Sequence, residues 1–330
     1  MEYVPLGSAG VQVSPLCLGT MMFGSWGNAD HADSIRVIHR ALDAGINFID
    51  TANIYSEGES EVIVGKATKG RREEVVLATK VWGAMGAGPN QKGLSRKAIQ
   101  EQVEHSLRRL QTDVIDLYQI HRPDPQTPWD ETLSALNDLV RQGKVRYLGC
   151  STNHYDVSGQ KRLDAWEIVE TLWHCDRRGF DRFVCLQPPY SILRRNMEME
   201  HFPMTRRFGI ANIVWSPLEG GWLSGKYRRR SGNPADSPRA RNWVGNLEEP
   251  RFHRRLEVVE ALVDLAKDKH HTLAELALAW VLRQPAVTSV IIGPRTLDQL
   301  ESCLRCLEVT LSEADLARID ELVPPGSSVL

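Results

Sequence analysis

Short apolar stretches alternate along this chain with longer stretches in which apolar residues recur every three or four positions. The short stretches predict buried β-strands, and the longer ones predict amphipathic helices packed against those strands. Eight strand patterns follow one another, and a helical pattern comes after each. The predicted strands lie near 16–19, 47–50, 75–80, 115–121, 145–151, 183–187, 211–215 and 289–293.

This order is typical of an α/β fold, specifically a (β/α)8 TIM barrel. We expect an N-terminal hairpin arm over 11–19 that leads into the first strand, and a C-terminal helix opened by Ser312 and Asp315. An open doubly wound sheet is the main alternative, but it favours a glycine fingerprint at the first strand-to-helix turn. That turn reads GTMMFGSWG, which does not contain the GxGxxG fingerprint, so the barrel is favoured over the open sheet. We therefore predict one domain over 1–330, in which the irregular segment 217–255 forms a flap over a ligand.

Composition narrows the function classes. The chain has 330 residues, of which 42% are hydrophobic and 25% are charged, and this composition excludes a disordered chain. The net charge of −2 excludes a global basic field that would attract nucleic acid or a membrane surface. The N-terminus lacks a leader pattern and no apolar run reaches the ~18 residues of a membrane span, so we expect a cytoplasmic protein. The CxxC at Cys303 and Cys306 has no second ligand pair, and we expect no metal site.

Four chemically distinct side chains follow the second, third and fourth strands. Asp50, Lys80 and His121 stand at strand ends, and Tyr55 lies five residues after Asp50. In a parallel barrel the carboxyl ends of the strands meet at one mouth, so these groups should converge. A lysine ammonium lowers the pKa of a neighbouring phenol, an aspartate holds the lysine, and a histidine can donate to a carbonyl oxygen. The set therefore indicates a proton donor for carbonyl reduction.

Several longer motifs resemble the aldo-keto reductase superfamily, in the forms found in bacterial reductases and in potassium-channel β subunits. The motifs lie at 43–55, 79–80, 117–124, 187–191, 215–221 and 292–299. The resemblance implies a single barrel, NADPH or NADP as the cofactor, and Asp50, Tyr55, Lys80 and His121 as the catalytic tetrad. It also implies, by motif position, a set of cofactor-binding residues: Thr20, Met21, Asp50, Ser151, Thr152, Asn153, Gln187, Trp215, Ser216, Pro217, Leu218, Gly220, Gly293, Arg295 and Gln299.

The sequence departs from the family pattern in places. The fifth-strand motif is one residue longer than usual, so either Thr152 or Asn153 would serve the cofactor carboxamide. Ser302 and Cys303 stand where an acid and an asparagine usually meet adenine. The segment 220–227 fits GxxxxGK but has Tyr227 where a P-loop needs Ser or Thr. With nine Lys and Arg against three Asp and Glu over 226–255, Lys226 is either a clamp on the cofactor phosphates or part of a solvated basic surface.

The predicted function is NADPH-dependent reduction of an aldehyde or ketone, with hydride from nicotinamide C4 and the proton from Tyr55. The alternative is an NADPH-binding sensor subunit without significant turnover; the channel β subunits commonly have Asn where this chain has His121. We expect a small carbonyl substrate, and self-association stays open. Aromatic residues predicted near the mouth suggest a ring-containing or apolar substrate: Trp26, Trp82, Trp129 and Trp222.

Overall fold

A small hairpin precedes the main body of the protein. The computed structural model describes residues 1–152, 162–229 and 246–330. Strands β1 (Val4–Pro5) and β2 (Gln12–Val13) pair antiparallel, with Val4 opposite Val13. The predicted hairpin arm therefore begins earlier than residue 11. The sequence analysis missed its first strand because two residues are too few to produce a periodic pattern.

Eight parallel strands close into a barrel within the described residues, which confirms the predicted fold. The first strand pairs with the last through Leu16 and Val290, so the barrel has no open edge. The strands are β3 (Leu16–Gly19), β4 (Phe48–Asp50), β5 (Val76–Val81), β6 (Ile115–Ile120), β7 (Val145–Ser151), β8 (Phe183–Gln187), β9 (Ala211–Val214) and β10 (Ser289–Ile292).

Helices pack around the strands. They are α1 (His31–Asp43), α2 (Glu59–Thr68), α3 (Arg96–Leu110), α4 (Trp129–Arg141), α5 (Ala165–Arg178), α6 (His201–Phe208), α7 (His253–Asp268), α8 (Leu273–Leu282), α9 (Leu297–Leu304) and α10 (Glu313–Leu322). Helix α10 begins at a capping box formed by Ser312 and Asp315, as predicted. No helix in the described ranges combines the length and the apolarity needed to cross a membrane.

The alternation of side chains along the strands divides the barrel interior into two layers. Leu6 and Val13 of the hairpin close the amino-terminal end over an apolar layer that includes Phe48, Ala78 and Leu117. Because successive side chains of a strand point to opposite faces, the residue two positions further along also points inward. In β4, β5, β6 and β8 that residue is polar: Asp50, Lys80, Gln119 and Gln187. An apolar floor therefore lies beneath a buried polar layer at the carboxyl end.

Close packing between the hairpin and the barrel depends on one glycine. Gly7 has a φ of +61°, and a Cβ there would lie 2.6 Å from the carbonyl oxygen of Val184 and 2.7 Å from the amide nitrogen of Ala211. A side chain would therefore meet both a left-handed backbone and rigid main-chain atoms. Gly7 lets the hairpin lie directly against β8 and β9 and close the floor.

Candidate active site

Lys80 lies at the centre of the polar layer and is fully buried. Its Nζ donates to Asp50 Oδ1 at 2.5 Å, to the carbonyl oxygen of Thr51 at 2.8 Å and to the Tyr55 hydroxyl oxygen at 3.1 Å. An ammonium group has three protons, so all of its donors are used. Burial lowers the pKa of Lys80, but the charge of Asp50 and the contact with Tyr55 outweigh it and raise the pKa above its ordinary value. The lysine is therefore charged at neutral pH.

The second carboxylate oxygen of Asp50 is held by two glutamines. Gln119 Nε2 donates to Asp50 Oδ2 at 3.1 Å, and Gln187 Nε2 donates to the same atom at 2.9 Å. Gln187 also donates to Gln119 Oε1 at 3.3 Å. Asp50 is 2% exposed, so its charge is neutralised by Lys80 and solvated by side-chain amides instead of water. Gln119 was not among the predicted site residues.

Tyr55 accepts a hydrogen bond from Lys80 and keeps its own proton unengaged. Among the described residues, the Lys80 contact is the hydroxyl's one hydrogen bond. Burial raises the pKa of Tyr55 above its ordinary value, and the pull of Lys80 in the opposite direction does not cancel the effect. We expected a lowered pKa from the lysine; desolvation of the phenolate is the larger influence here.

His121 lies beside the phenol. Its backbone amide donates to the carbonyl oxygen of Val81 at 2.9 Å, and its ring meets the Tyr55 ring edge-on, with centroids 5.7 Å apart. The ring nitrogens have no hydrogen-bond partner in the part of the chain that the structure describes. Burial, together with the positive charges of Lys80 and Arg122, holds the pKa of His121 well below its ordinary value. The imidazole is therefore neutral at neutral pH and carries one N–H donor.

Comparisons of the sequence with known proteins identify the family of this chain. A sequence model of the Aldo/keto reductase family matches residues 15–324. The chain belongs to the aldo/keto reductase family. It is 41% identical to an uncharacterized oxidoreductase of Bacillus subtilis, over 99% of this chain and 97% of that protein. It is 36% identical to the aldo-keto reductase YhdN of the same organism, over 98% and 94%.

A further relative of this aldo/keto reductase is named for a different role. A probable voltage-gated potassium channel subunit beta of Oryza sativa is 37% identical, over 94% of this chain and 92% of that protein. Both branches named from the motifs, bacterial reductases and channel β subunits, are therefore represented among the relatives. Family membership makes the protein an oxidoreductase of the aldo/keto reductase type.

Two predicted cofactor residues of this aldo/keto reductase, Thr20 and Ser151, make hydrogen bonds to the backbone of neighbouring strands. Thr20 is fully buried, and its hydroxyl donates to the carbonyl oxygen of Asp50 at 3.1 Å and contacts Ser60. Ser151 is 3% exposed and donates to the carbonyl oxygen of Gln187 at 2.9 Å. Met21, next to Thr20, is 37% exposed. Of these three side chains, Met21 is therefore the one open to a ligand.

Thr152 and Asn153 follow the fifth barrel strand and were the two candidates for the carboxamide contact; the structure describes Thr152. Thr152 is 1% exposed, and its hydroxyl donates to the carbonyl oxygen of Leu163 at 2.8 Å and accepts from the Leu163 amide at 3.2 Å. The carbonyl oxygen of Thr152 accepts from Trp215 Nε1 at 3.3 Å, which fixes the half-buried indole. The hydroxyl of Thr152 is therefore committed to the backbone. Asn153 lies outside the described residues.

The loop after β9 is built from left-handed backbone. Ser216, Glu219, Gly220 and Gly221 have φ values of 55°, 44°, 63° and 98°. Pro217 is buried, and Leu218 packs against the main core. The side chain of Lys226 runs back over this loop, since a Cβ at Gly221 would lie 2.7 Å from Lys226 Cε. The predicted flap continues through 230–245, which lie outside the described residues.

A cationic side chain lies after β10. Arg295 is exposed, and its guanidinium has no hydrogen-bond or ion-pair partner among residues 1–152, 162–229 and 246–330. Its backbone amide donates to Gln299 Oε1 at 2.8 Å, and its carbonyl accepts from Asn28 at 2.9 Å. Gly293 is exposed, and nothing lies within 4 Å of a Cβ placed there. As far as residues 1–152, 162–229 and 246–330 are concerned, this edge has room for a ligand beside a positive charge without a partner.

The four predicted pocket tryptophans lie in different environments. Trp26 is 48% exposed, with its ring centroid 6.2 Å from that of Tyr55. Trp82 is half-buried, with the Arg122 guanidinium 5.3 Å from its ring centroid, and Trp129 is half-buried at the start of α4. Trp222 is 5% exposed and packs between other aromatic rings, 4.9 Å from Tyr227. Most of the Trp222 ring is therefore used in packing, and its place in the substrate pocket stays a prediction.

Proposed function

We propose that this protein reduces an aldehyde or ketone to an alcohol with NADPH and that Tyr55 donates the proton. The arrangement of Tyr55 and Lys80 carries the proposal. The phenol oxygen accepts from the ammonium at 3.1 Å, so its own proton is free to be donated into the mouth of the barrel. His121 presents a neutral ring beside the same phenol.

Several residues at the carboxyl end of the barrel would hold a dinucleotide cofactor. Gln187 Oε1 accepts from no described residue, and the half-buried Trp215 indole is anchored through its N–H to the carbonyl oxygen of Thr152, so these two side chains would hold a nicotinamide through an amide oxygen and an aromatic ring. Within the described residues, the Arg295 guanidinium has no partner and nothing lies close to Gly293, so Arg295 would be a suitable partner for a 2′-phosphate. NADPH would supply the hydride for the carbonyl carbon.

The protein's own groups divide the remaining work. His121 donates its N–H to the substrate carbonyl oxygen and orients it. Tyr55 transfers its proton to that oxygen as negative charge develops there. Lys80 remains charged 3.1 Å from the phenol and stabilises the phenolate that is left. Asp50 and its two glutamines hold the ammonium in place.

The structure also favours one of the two candidates for the carboxamide contact. The Thr152 hydroxyl already makes two hydrogen bonds with Leu163, so using it for a ligand would leave those backbone groups without partners. We therefore propose Asn153, which lies outside the described residues, for the carboxamide contact. Replacing Thr152 would loosen the segment around Leu163 and would act on the cofactor only indirectly.

Replacing Tyr55 with phenylalanine tests the proposal. The variant should lose about 10²- to 10⁴-fold in kcat, because one positioned general acid is removed. The dissociation constant of NADPH should change less than about twofold, since within the described residues the hydroxyl contacts Lys80 and no residue of the Arg295 edge. The assay is NADPH oxidation with 4-nitrobenzaldehyde, with cofactor binding followed by fluorescence titration.

Tyr118→Phe is the matched control. Tyr118 is fully buried, and its hydroxyl has no hydrogen-bond partner among the described residues. Loss of this hydroxyl should leave kcat unchanged. Full turnover in Tyr55→Phe, or an equal loss in both variants, would exclude Tyr55 as the proton donor.

A sensor role is the second candidate, because three relatives are named as probable or putative channel β subunits. A sensor would bind NADPH and turn over none of a broad panel of carbonyl compounds. Steady NADPH oxidation with any of them would identify the protein as an enzyme. The neutral His121 beside Tyr55 favours the enzyme.

A further inference from the structure

The two residues after Tyr55 have an unusual backbone conformation. Ser56 has φ and ψ of 47° and 41°, and Glu57 has 57° and 31°. Residues with a Cβ rarely adopt this left-handed region, and consecutive examples store strain that the surrounding structure must maintain. Glycine at position 56 would adopt the same backbone without that strain. The serine therefore needs an explanation in its side chain.

The hydroxyl of Ser56 connects this turn to the loop that carries Trp26. Ser56 is 3% exposed; its Oγ donates to the carbonyl oxygen of Phe23 at 3.2 Å and accepts from the amide of Trp26 at 3.1 Å. Between these two attachment points, Gly24 approaches so closely that a Cβ there would lie 2.9 Å from Ser56 Oγ. The hydroxyl thus clamps the loop on both sides of Gly24.

Glu59 provides a second attachment. Its Oε2 accepts from the amide of Ser25 at 2.8 Å, and its Oε1 contacts His31 Nε2 at 2.8 Å. The loop amides of Ser25 and Trp26 are therefore both held by side chains from the segment that follows Tyr55. The loop held in this way places the Trp26 ring 6.2 Å from the Tyr55 ring, while nearly half of the indole remains exposed.

We propose that Ser56 is a positioning residue that sets substrate preference. Its hydroxyl fixes the Trp26 loop against Tyr55, so that the indole forms a wall for ring-containing carbonyl compounds at the proton donor. The proposal rests on the proposed reduction for its substrate part; the clamp itself does not depend on turnover. Small aliphatic aldehydes do not reach the wall and do not need the clamp.

The test uses Ser56→Ala and Ser56→Gly in the full chain, with Glu57→Gly as the matched control. Both Ser56 variants lose the hydroxyl, but only the glycine variant also relieves the backbone. Glu57 is exposed and has a similar positive φ, and its side chain makes no hydrogen bond within the described residues; its backbone amide donates to the carbonyl oxygen of Ile54 at 3.0 Å. Amide hydrogen exchange of peptides covering 22–27 should rise about tenfold in both Ser56 variants and stay unchanged in Glu57→Gly. The kcat/KM for 4-nitrobenzaldehyde should fall about tenfold, and that for propanal should not change.

The outcomes separate the clamp from the proposed function. Unaltered exchange in both Ser56 variants overturns the proposal, whatever the activity. Faster exchange with an equal fall for both aldehydes also overturns it, because the hydroxyl would then support the whole site and not the preference. If the wild-type protein reduces no carbonyl compound, the proposed function and the substrate part of this inference fail together, and the exchange result still decides the clamp.

Discussion

The buried ion pair between Lys80 and Asp50 makes a specific prediction for Asp50→Asn. The ammonium is fully buried and the carboxylate is 2% exposed, so neither can turn to water. In the variant, the asparagine has one oxygen and one amino group where the aspartate had two acceptors. If the oxygen faces Gln119 and Gln187, the amino group faces the Lys80 ammonium, and donor meets donor. Rotating the amide only moves that conflict to the glutamines.

The expected loss of stability follows from the charge left behind. Removing one partner of a buried pair costs about 3–5 kcal/mol, because the other charge stays desolvated without compensation. For a chain of 330 residues, an unfolding entropy of about 2.1 cal/mol/K per residue converts this loss to a fall of about 4–7 °C in melting midpoint. The double variant Asp50→Asn with Lys80→Met removes the uncompensated charge and should recover at least half of the loss, although it will be inactive.

Calorimetry and urea unfolding of the wild type, the two single variants and the double variant complete the cycle. Circular dichroism should first establish that each variant keeps the barrel. A loss below about 1 kcal/mol in Asp50→Asn would mean that Lys80 finds another partner or is not charged. A double variant as unstable as Asp50→Asn would refute the claim that the unpaired ammonium is the cause.

Two further predictions concern protons and phosphate. The pKa of His121 is lower in the folded state than its ordinary value of about 6.5 in the unfolded chain. Below pH 6.5 the unfolded ring therefore binds a proton that the folded ring does not bind. The contribution of this ring to stability is thus full above that pH and is lost as the pH falls. His121→Gln should therefore lose less stability than the wild type between pH 7 and pH 5, measured by urea unfolding; equal losses would contradict the shift. Arg295→Ala should raise the KM for NADPH about 10- to 100-fold and leave that for NADH within about twofold, because only NADPH has the 2′-phosphate. Steady-state kinetics with both cofactors measures the difference, and an equal effect on both would exclude the assigned contact.

The sequence predicted the barrel because most strand residues are buried between two layers. Strands such as β5 and β6 are buried along their whole length, and their limits were predicted within one residue. Because the carboxyl ends of parallel strands meet at one mouth of a barrel, the sequence also predicted that Asp50, Lys80 and His121 lie at one end. Family resemblance added the cofactor set, which periodicity alone does not indicate.

The features that were missed depend on contacts between distant segments. Gln119 stands two positions before His121, so the two-residue period of strands was a signal for its inward direction, but nothing in the sequence indicates that it shares Asp50 with Gln187. Trp222 lies in a loop by sequence but is buried against Tyr227, and only the fold brings those rings together. The net pKa of Tyr55 depends on how completely the barrel buries the phenol, which cannot be read from the proximity of a lysine.

The raised pKa of Tyr55 is consistent with a proton donor. At neutral pH the phenol keeps its proton and Lys80 keeps its charge, so the pair is already in the state from which a proton is given away. Once the proton leaves, a phenolate lies 3.1 Å from the ammonium, and their attraction is about 5 kcal/mol at an effective dielectric constant of about 20. This attraction does not exist before transfer, so it lowers the energy of the charged state more than that of the resting state. Lys80 therefore acts after the proton begins to move, and Asp50 contributes by keeping the ammonium where the new charge will appear.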